Sequence, residues 1–310
     1  MSNILFVPSN NGFGHLRRLT ALLQEFITLG FKCALIWDKR IPLPKKILPN
    51  SLKFKLHQIE TPLIFDGPFI IKEAFYDKKN LEKLVKKYDF VISDGVSWPA
   101  KISEGVVFTS HFIWEYYYLR KGEKTDLVHK SISDISKKNR VFSMKNFIWQ
   151  EMYNLGRVIE LPIFDYWNLR EFSHSHNNEI VSISSGILSE KNLSNSIQVS
   201  LKDLEILKTD GIEKYVFSKK ECPIAVLCRS GMGALSESLS MKSIPIFLPD
   251  NDLEIKMNMK ACLEMDIGIE LNDFILNSKD DPKFLHKKRE QIHWPEVLSM
   301  KELATRIVGE

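Results

Sequence analysis

Short apolar runs alternate with glycine-bearing turns and amphipathic stretches along this chain. Ile4 to Val7 reads as a buried parallel strand, and Pro8 to Gly14 as the turn after it. Leu16, Leu19, Leu22, Leu23, Phe26 and Ile27 then recur at helical spacing as far as Gly30, a C-cap. Cys33 to Trp37 is the next strand, and Leu81 to Lys87 the end of a helix. Phe90 to Ser93 is a strand that stops at Asp94-Gly95, and Val106 to Thr109 is another. Repeated βα units predict an open parallel sheet, with ligands at the C-terminal ends of its strands.

The middle is less regular. Lys39 to Asn50 reads as a loop, Arg140 to Ser143 as a short strand, and Gly156 to Pro162 as a linker. Glu179 to Ser184 begins a second strand series, ending at Ser185-Gly186. Further on, the apolar run Pro223 to Cys228 meets a glycine turn and a short amphipathic segment, followed by the apolar strand Ile244 to Pro249. Strand, glycine turn, helix and strand make a βαβ unit. Met300 to Val308 reads as a terminal helix. The expected organisation is α/β: one Rossmann-like domain over 1–162, a second over 163–299, and a terminal helix, 300–310, available to pack back on the first.

Length and composition fit this organisation. The chain has 310 residues, 44% apolar and 26% charged, enough for two well-packed α/β domains. Net charge is +4, with 43 Lys and Arg against 39 Asp and Glu. That mild excess suits an anionic substrate or a peripheral membrane surface. No dense basic tract with interleaved aromatics is present, so nucleic acid is not the expected partner. Cys33, Cys222, Cys228 and Cys262 form no CxxC pair, which argues against a zinc site or disulfide framework and for reduced cytosolic thiols. No apolar run reaches the roughly 20 residues of a membrane helix. Met1 to Val7 reads as a first strand and not a signal peptide.

Candidate chemistry gathers at the two glycine turns. Asn11-Gly12-Phe13-Gly14-His15-Leu16-Arg17-Arg18 follows the first strand. Its glycines bring backbone close to a ligand, and the helix N-terminus behind them favours anions. His15 stands at that mouth, where an imidazole exchanges protons near neutrality, and Arg18 lies one turn on. Neither the P-loop Gly-Lys-Ser/Thr nor a Rossmann fingerprint is present. Asp94, ending a strand, is placed either to orient His15, to contact an acceptor, or to cap a helix. In the second half, Gly231 and Gly233 open a helix, and Glu237 follows one turn later, where a carboxylate can accept from vicinal hydroxyls. Phosphates plus a ribose diol suit that pair. Asp250-Asn-Asp252 is a DxD string, weaker as a metal site than as a post-strand loop; His174 and His176 read as solvated; Trp114-Glu-Tyr-Tyr-Tyr118 reads as core more than as an acceptor wall.

Gly12-x-Gly14-His15-x-x-Arg18 resembles the N-terminal signature of GT-B glycosyltransferases, closest to family 28 and the glucuronosyltransferase-related enzymes. The same signature occurs in the nucleotide-sugar hydrolase of the pseudaminic acid pathway and in the transferase-like half of plant arabinokinases. Ser93-Asp94, then Pro99-Ala100 and Ser110-His111-Phe112-Ile113-Trp114-Glu115, is similar to a second pattern of that group, with His111 where an asparagine is expected. Arg229-Ser-Gly-Met-Gly-Ala-Leu-Ser-Glu237 is similar to its Gly-x-Gly-Thr-x-x-Glu box, with Ala234 for threonine. Glu254-Ile255-Lys256-Met257-Asn258 falls on its Glu-Gln-x-x-Asn segment, with Ile255 for the glutamine that contacts the donor.

The resemblance implies a GT-B fold, two Rossmann-like domains facing a cleft. It implies that Ser185 and Gly186, together with Arg229, Ser230, Gly231, Met232 and Gly233, line the diphosphate site, that Glu237 binds the ribose, and that backbone at Val216 and Phe217 reads the base edge. Glu254 and Asn258 would brace the sugar, Gly12, Gly14 and Arg18 would hold acceptor or phosphate, and His15 with Asp94 would be catalytic. No cofactor or metal is implied. The expected activity is transfer of a sugar from a nucleotide-diphosphate donor, UDP-linked by preference, to a glycan, lipid-linked or small-molecule acceptor in the cytoplasm or peripheral to the inner face of the membrane. The rival readings are a nucleotide-sugar hydrolase and a GT-B-like binding module without catalysis, the latter motivated by Ala234 and Ile255.

Overall fold

The computed structural model describes residues 2–11, 14–44, 48, 53–66, 70–183, 206–209, 212–281 and 283–310. The chain divides into two compact units, Met1–Leu161 with Met300–Glu310, and Pro162–Ser299.

The first unit is built on β1 (Asn3–Pro8), α1 (Gly14–Thr28), β2 (Lys32–Asp38), β3 (Lys55–Ile59), the antiparallel pair β4 (Leu63–Asp66) and β5 (Ile70–Glu73), α2 (Lys78–Val85), β6 (Phe90–Asp94), β7 (Val107–Phe108), α3 (Trp114–Lys121), α4 (Thr125–Ile132), β8 (Asn139–Met144) and β9 (Gly156–Leu161). Seven of these strands form one parallel sheet in the order β3-β2-β1-β6-β7-β8-β9. Ile4 to Val7 are all buried, because β1 lies in the middle of the sheet with both faces covered. At the C-terminal end of β2, buried Asp38 accepts from Arg40 Nη2 (2.5 Å) and from the Thr61 amide (2.9 Å), tying that strand to the loop after β3.

Gly156 to Leu161 is not a linker. It is the edge strand β9, in register with β8 from Asn139↔Gly156 to Met144↔Leu161. An edge strand with one exposed face carries Arg157 and Glu160 at no cost, so the segment lacks the apolar run of a central strand. Gly156 is there for space: a Cβ would stand 2.1 Å from the Asn139 carbonyl oxygen. Buried Asn139 in turn accepts from the Val106 amide (2.9 Å) and donates to the carbonyls of Ser136 (2.7 Å) and Leu155 (3.1 Å).

The second unit holds β10 (Ile163–Asp165), β11 (Ile180–Ile183), β12 (Ile206–Thr209), α5 (Ile212–Lys219), β13 (Ala225–Cys228), α6 (Met232–Ser240), β14 (Ile244–Phe247), α7 (Leu253–Glu264), β15 (Ile269–Glu270), α8 (Leu271–Asp280), α9 (Phe284–Gln291) and β16 (Val297–Ser299). Its five-stranded parallel sheet has the order β12-β11-β13-β14-β15, and β10 pairs with β16 apart from it. The chain then returns to the first unit as α10 (Met300–Gly309), which packs against α1. Among the described residues no helix is long and apolar enough to cross a membrane.

His176 is a packed residue and not a solvated one. Its Nε2–H donates to the Met241 carbonyl (2.8 Å) and its Nδ1 accepts from Arg289 Nη2 (3.0 Å). Burial, helped by the Arg289 charge, pulls its pKa down to about 4.

Two outcomes follow from this packing. Gly156→Ala should cost about 1–3 kcal/mol in denaturant unfolding, since the obstacle is backbone that cannot move aside. The folded pKa of His176 lies below its unfolded value of about 6.5, so the unfolded chain binds the extra proton first as pH falls. Stability of the second unit should therefore drop between pH 6.5 and 4, and His176→Gln should flatten that dependence in unfolding curves at pH 7 and pH 5.

Candidate active site

In the first unit the loops after β1 and β6 leave the sheet side by side. These strands pair through Val7↔Ser93 and Pro8↔Asp94, and the chain's second strand lies on the other side of β1. This is the switch point of an open parallel sheet, where loops diverge and leave room for a ligand. The Ser9 amide donates to the Asp94 carbonyl (2.8 Å), fixing the first loop on the second.

His15 and Arg18, three residues apart on α1, reach the same carboxylate. His15 Nδ1 lies 2.7 Å from Asp94 Oδ1. Arg18 grips both oxygens, Nη2 to Oδ1 at 2.8 Å and Nε to Oδ2 at 3.1 Å. Asp94 is 1% exposed, His15 5% and Arg18 8%. Burial alone would raise the Asp94 pKa; the Arg18 and His15 charges and their hydrogen bonds outweigh it and hold the carboxyl well below the usual range. Asp94 is thus an ionised group that orients His15, and not a helix cap. Gly95 makes room for the ring. Its φ is +88°, and a Cβ there would lie 2.6 Å from His15 Cε1. Gly14 is the first residue of α1 and is less constrained, with a Cβ meeting Arg18 Nη1 at 3.6 Å; Gly12 lies outside the described residues.

The opposite edge of the ring meets an aromatic wall. Trp114 to Tyr118 are buried in α3, as a core reading requires. Trp114 does more: its indole Nε1–H donates to His15 Nε2 at 3.0 Å, while its amide donates to the Gly95 carbonyl at 3.0 Å. Phe112 stands edge-on to the imidazole, with centroids 6.2 Å apart. An indole N–H only donates, so Nε2 carries the lone pair and the neutral ring holds its proton on Nδ1; the tautomer is assigned from these partners. Arg18 Nη2, 2.8 Å from Nδ1, is then a second donor converging on the shared Asp94 oxygen.

In the second unit the switch point falls between β11 and β13, since β12 and β14 lie on opposite sides of that pair. Ser185 and Gly186, after β11, lie outside the described residues. After β13, Arg229 and Ser230 lead to Gly231, the N-cap of α6 at φ −66° and ψ 143°. Ser230 is fully buried; its hydroxyl donates to the Ile255 carbonyl (2.7 Å), and its own carbonyl accepts from Asn258 Nδ2 (2.9 Å). Asn258, 1% exposed, therefore braces the turn through the backbone. Ile255 is buried against the same turn, with Cδ1 3.7 Å from where a Cβ on Gly231 would be. Glu254 stands one turn before Asn258 on α7, with Oε1 3.5 Å from its Nδ2. Met232 is buried in the first turn of α6.

Glu237 is 5% exposed and not a surface carboxylate; its Oε1 accepts from Trp167 Nε1 (3.1 Å). The DxD carboxylates are engaged: Asp250 pairs with Arg229, and Asp252 caps α7 by accepting from the Glu254 amide (2.9 Å). Val216 and Phe217 correct the sequence reading. Both lie inside α5, where Val216 is fully buried with its carbonyl accepting from the Lys220 amide (2.8 Å), and Phe217 packs edge-on to Phe172. Helical backbone of this kind does not read a base edge. Burial pushes the thiols of Cys33, Cys222 and Cys228 up to about 12, far from nucleophilic use at neutral pH. Trp167 is a site residue that the sequence gives no sign of, and Trp114, read there as core more than as an acceptor wall, makes a contact the sequence does not announce; aromatic positions give no signal for a donor aimed across 99 or 70 residues of chain.

Asp94→Asn should destabilise the first unit by about 3–5 kcal/mol, because it removes the buried carboxylate charge that Arg18 grips through both oxygens and that His15 also bonds. Gly95→Ala should cost less in unfolding free energy, about 1–3 kcal/mol, by forcing the backbone out of its left-handed turn or the imidazole off its place. Denaturant unfolding of both variants checks the order.

No family model matches the chain, and no curated protein matches it in sequence. Solved structures do match over its full length. Acinetobacter baumannii MurG is 13% identical at a TM-score of 0.60, over 99% of each chain. SsfS6, a glycosyltransferase of Streptomyces sp. SF2575, is 9% identical at 0.58 over 100% of both. Phytolacca americana UGT2, complexed with UDP-2-fluoro-glucose and pterostilbene, is 14% identical at 0.57, over 98% of this chain and 94% of that one. These neighbours are GT-B glycosyltransferases, and the chain has the GT-B fold.

Proposed function

We propose that the protein is a glycosyltransferase that moves a sugar from a nucleotide-diphosphate donor to an acceptor hydroxyl, with the nucleotide on the second unit and the acceptor on the first. The observation that carries the reading is the buried, ionised Asp94 that holds Nδ1–H of His15 and leaves Nε2 as the base. Attack by the acceptor oxygen on the anomeric carbon forms one C–O bond and breaks the bond to the diphosphate. The acceptor proton passes to Nε2, and the nucleoside diphosphate leaves with the bonding pair. Asp94 stabilises the imidazolium so formed without itself taking the proton.

The glycines of the second unit support the donor half. Neither Gly231 nor Gly233 has a positive φ, and a Cβ on Gly233 would meet none of the described residues within 4 Å. Gly231 suits its N-cap place, but at Gly233, inside the helix, the described residues leave room for alanine, a better helix former. A diphosphate lying against the backbone at the start of α6 does require glycine. Glu237, one turn in, is oriented by Trp167 to accept from ribose hydroxyls. The α6 N-terminus and Arg229 meet the charge that develops on the leaving group, in place of a metal. A UDP-linked donor is the first choice, as UGT2 is described with a UDP-sugar, and a dTDP-linked donor the second, as SsfS6 is described with thymidine diphosphate. The acceptor, whether glycan, lipid-linked or small molecule, is open to a screen.

Thermal shift with UDP, dTDP, GDP and CMP, followed by incubation of UDP-sugars with and without acceptors, tests the assignment. A nucleotide at about 100 times its Kd should add about 2.7 kcal/mol of stability. No shift with any nucleotide sinks the donor site; rapid release of free sugar without acceptor replaces transfer by hydrolysis. Gly233→Ala should raise intrinsic stability by up to about 1 kcal/mol while cutting the nucleotide-induced shift.

A further inference from the structure

The base nitrogen of His15 already holds a hydrogen-bond donor. Trp114 Nε1–H lies 3.0 Å from Nε2, in the place that an acceptor O–H must take for its proton to be removed. The indole is not loosely placed: it is 7% exposed, edge-on to the imidazole at 6.1 Å and to Phe112 at 5.2 Å, and the backbone amide of the same residue is anchored on Gly95. Asp94 and Arg18 occupy the Nδ1 edge of the ring, so the ring cannot exchange its edges without breaking the ion triad.

We propose that Trp114 is the positioning residue that holds the Nε2 lone pair of His15 in reserve, so that water does not use it and an acceptor hydroxyl does. This rests on the transferase reading above. An indole N–H and an acceptor O–H are both donors and compete for one lone pair. A bound acceptor carries its own binding energy and displaces the indole; a single water, held by one or two hydrogen bonds, does not. When the acceptor is absent, the donor sugar therefore meets a base that is already occupied. Trp114 touches neither the donor sugar nor the acceptor in this scheme; it acts through the Nε2 of His15 and sets which hydroxylic molecule reaches that base.

The test uses the full chain with ring-15N-labelled histidine. In the unsubstituted protein the His15 signal, identified by its loss in His15→Gln, should show a proton on Nδ1 and a hydrogen-bonded lone pair on Nε2. Trp114→Phe should move the Nε2 resonance downfield, as expected for a lone pair that has lost its donor, with the Nδ1 proton kept. In the same variant, acceptor-independent release of sugar from the UDP-sugar that the protein turns over should rise about tenfold relative to transfer, the factor one lost hydrogen bond supports. Should Trp114→Phe not fold, Trp114→benzothienylalanine keeps the shape and removes only the N–H. A proton on Nε2 in the unsubstituted protein, an unmoved Nε2 resonance, or an unchanged ratio of hydrolysis to transfer each overturns the proposal. The ring signals need no substrate, so an absence of any turnover in the unsubstituted protein is read separately, as failure of the transferase assignment.

Discussion

A single buried charge organises the first unit's site. The Asp94 carboxylate lies almost fully out of water at the end of β6, and among the described residues it is Arg18 and His15, both from α1, whose side chains make that tolerable. Desolvating such an ion costs several kcal/mol, and the bidentate guanidinium offsets it. The consequence reaches back into the sequence. Arg18 must sit one helical turn after His15, α1 must start at the switch point, and Gly95 must follow Asp94 so that the imidazole can lie on bare backbone. A histidine placed this way has its tautomer fixed by its partners, with Nδ1 on the carboxylate and Nε2 on the indole.

The glycines divide into two kinds, and the division separates folding from ligand binding. Gly95 and Gly156 are required by the protein itself, one by a left-handed φ and a ring pressed against it, the other by a carbonyl 2.1 Å from where a Cβ would go. Nothing among the described residues requires glycine at Gly233. A glycine at the start of a helix, with ordinary φ and no described residue beside it, lowers helix stability. On the proposed reading the return comes from a diphosphate that approaches the backbone there. The turn is meanwhile held rigid from below by Ser230, Ile255 and Asn258, so its amides stay aimed without a ligand.

Much of the fold was legible because its signals are local. Ile4 to Val7, Phe90 to Ser93 and Pro223 to Cys228 announce buried parallel strands by apolar runs that end in turn residues, and the open parallel sheets they imply are present. Strand β9 escaped because an edge strand needs no such run, and the glycine that starts it looks like punctuation when its purpose is steric. The base-edge assignment at Val216 and Phe217 failed because it rested on position in a family pattern, while Tyr215 and Val216 join the core of the unit and draw that segment into a helix. His176 escaped because its partners, Met241 and Arg289, lie 65 and 113 residues away.

The pairing of functional side chains with tryptophan was illegible for a deeper reason. In the first unit Trp114 donates to His15, and in the second Trp167 donates to Glu237. Trp114 looks from the sequence like core filler, and by area it is, while Trp167 is partly buried against the core of its unit. Yet a buried indole N–H needs an acceptor, and an acceptor that must later serve a ligand is left exposed to water unless something holds it. One tryptophan meets both needs: it packs, it satisfies its own polar atom, and it keeps an imidazole lone pair or a carboxylate oxygen oriented in the absence of ligand. The arrangement carries a built-in condition, because a ligand that uses the same lone pair must displace the indole or share the acceptor with it. A carboxylate oxygen accepts more than one donor, so on the proposed reading Glu237 would bind a hydroxyl beside Trp167; the Nε2 of a neutral imidazole has one lone pair and could not. The same contact therefore acts as a brace in the second unit and as a competitor in the first.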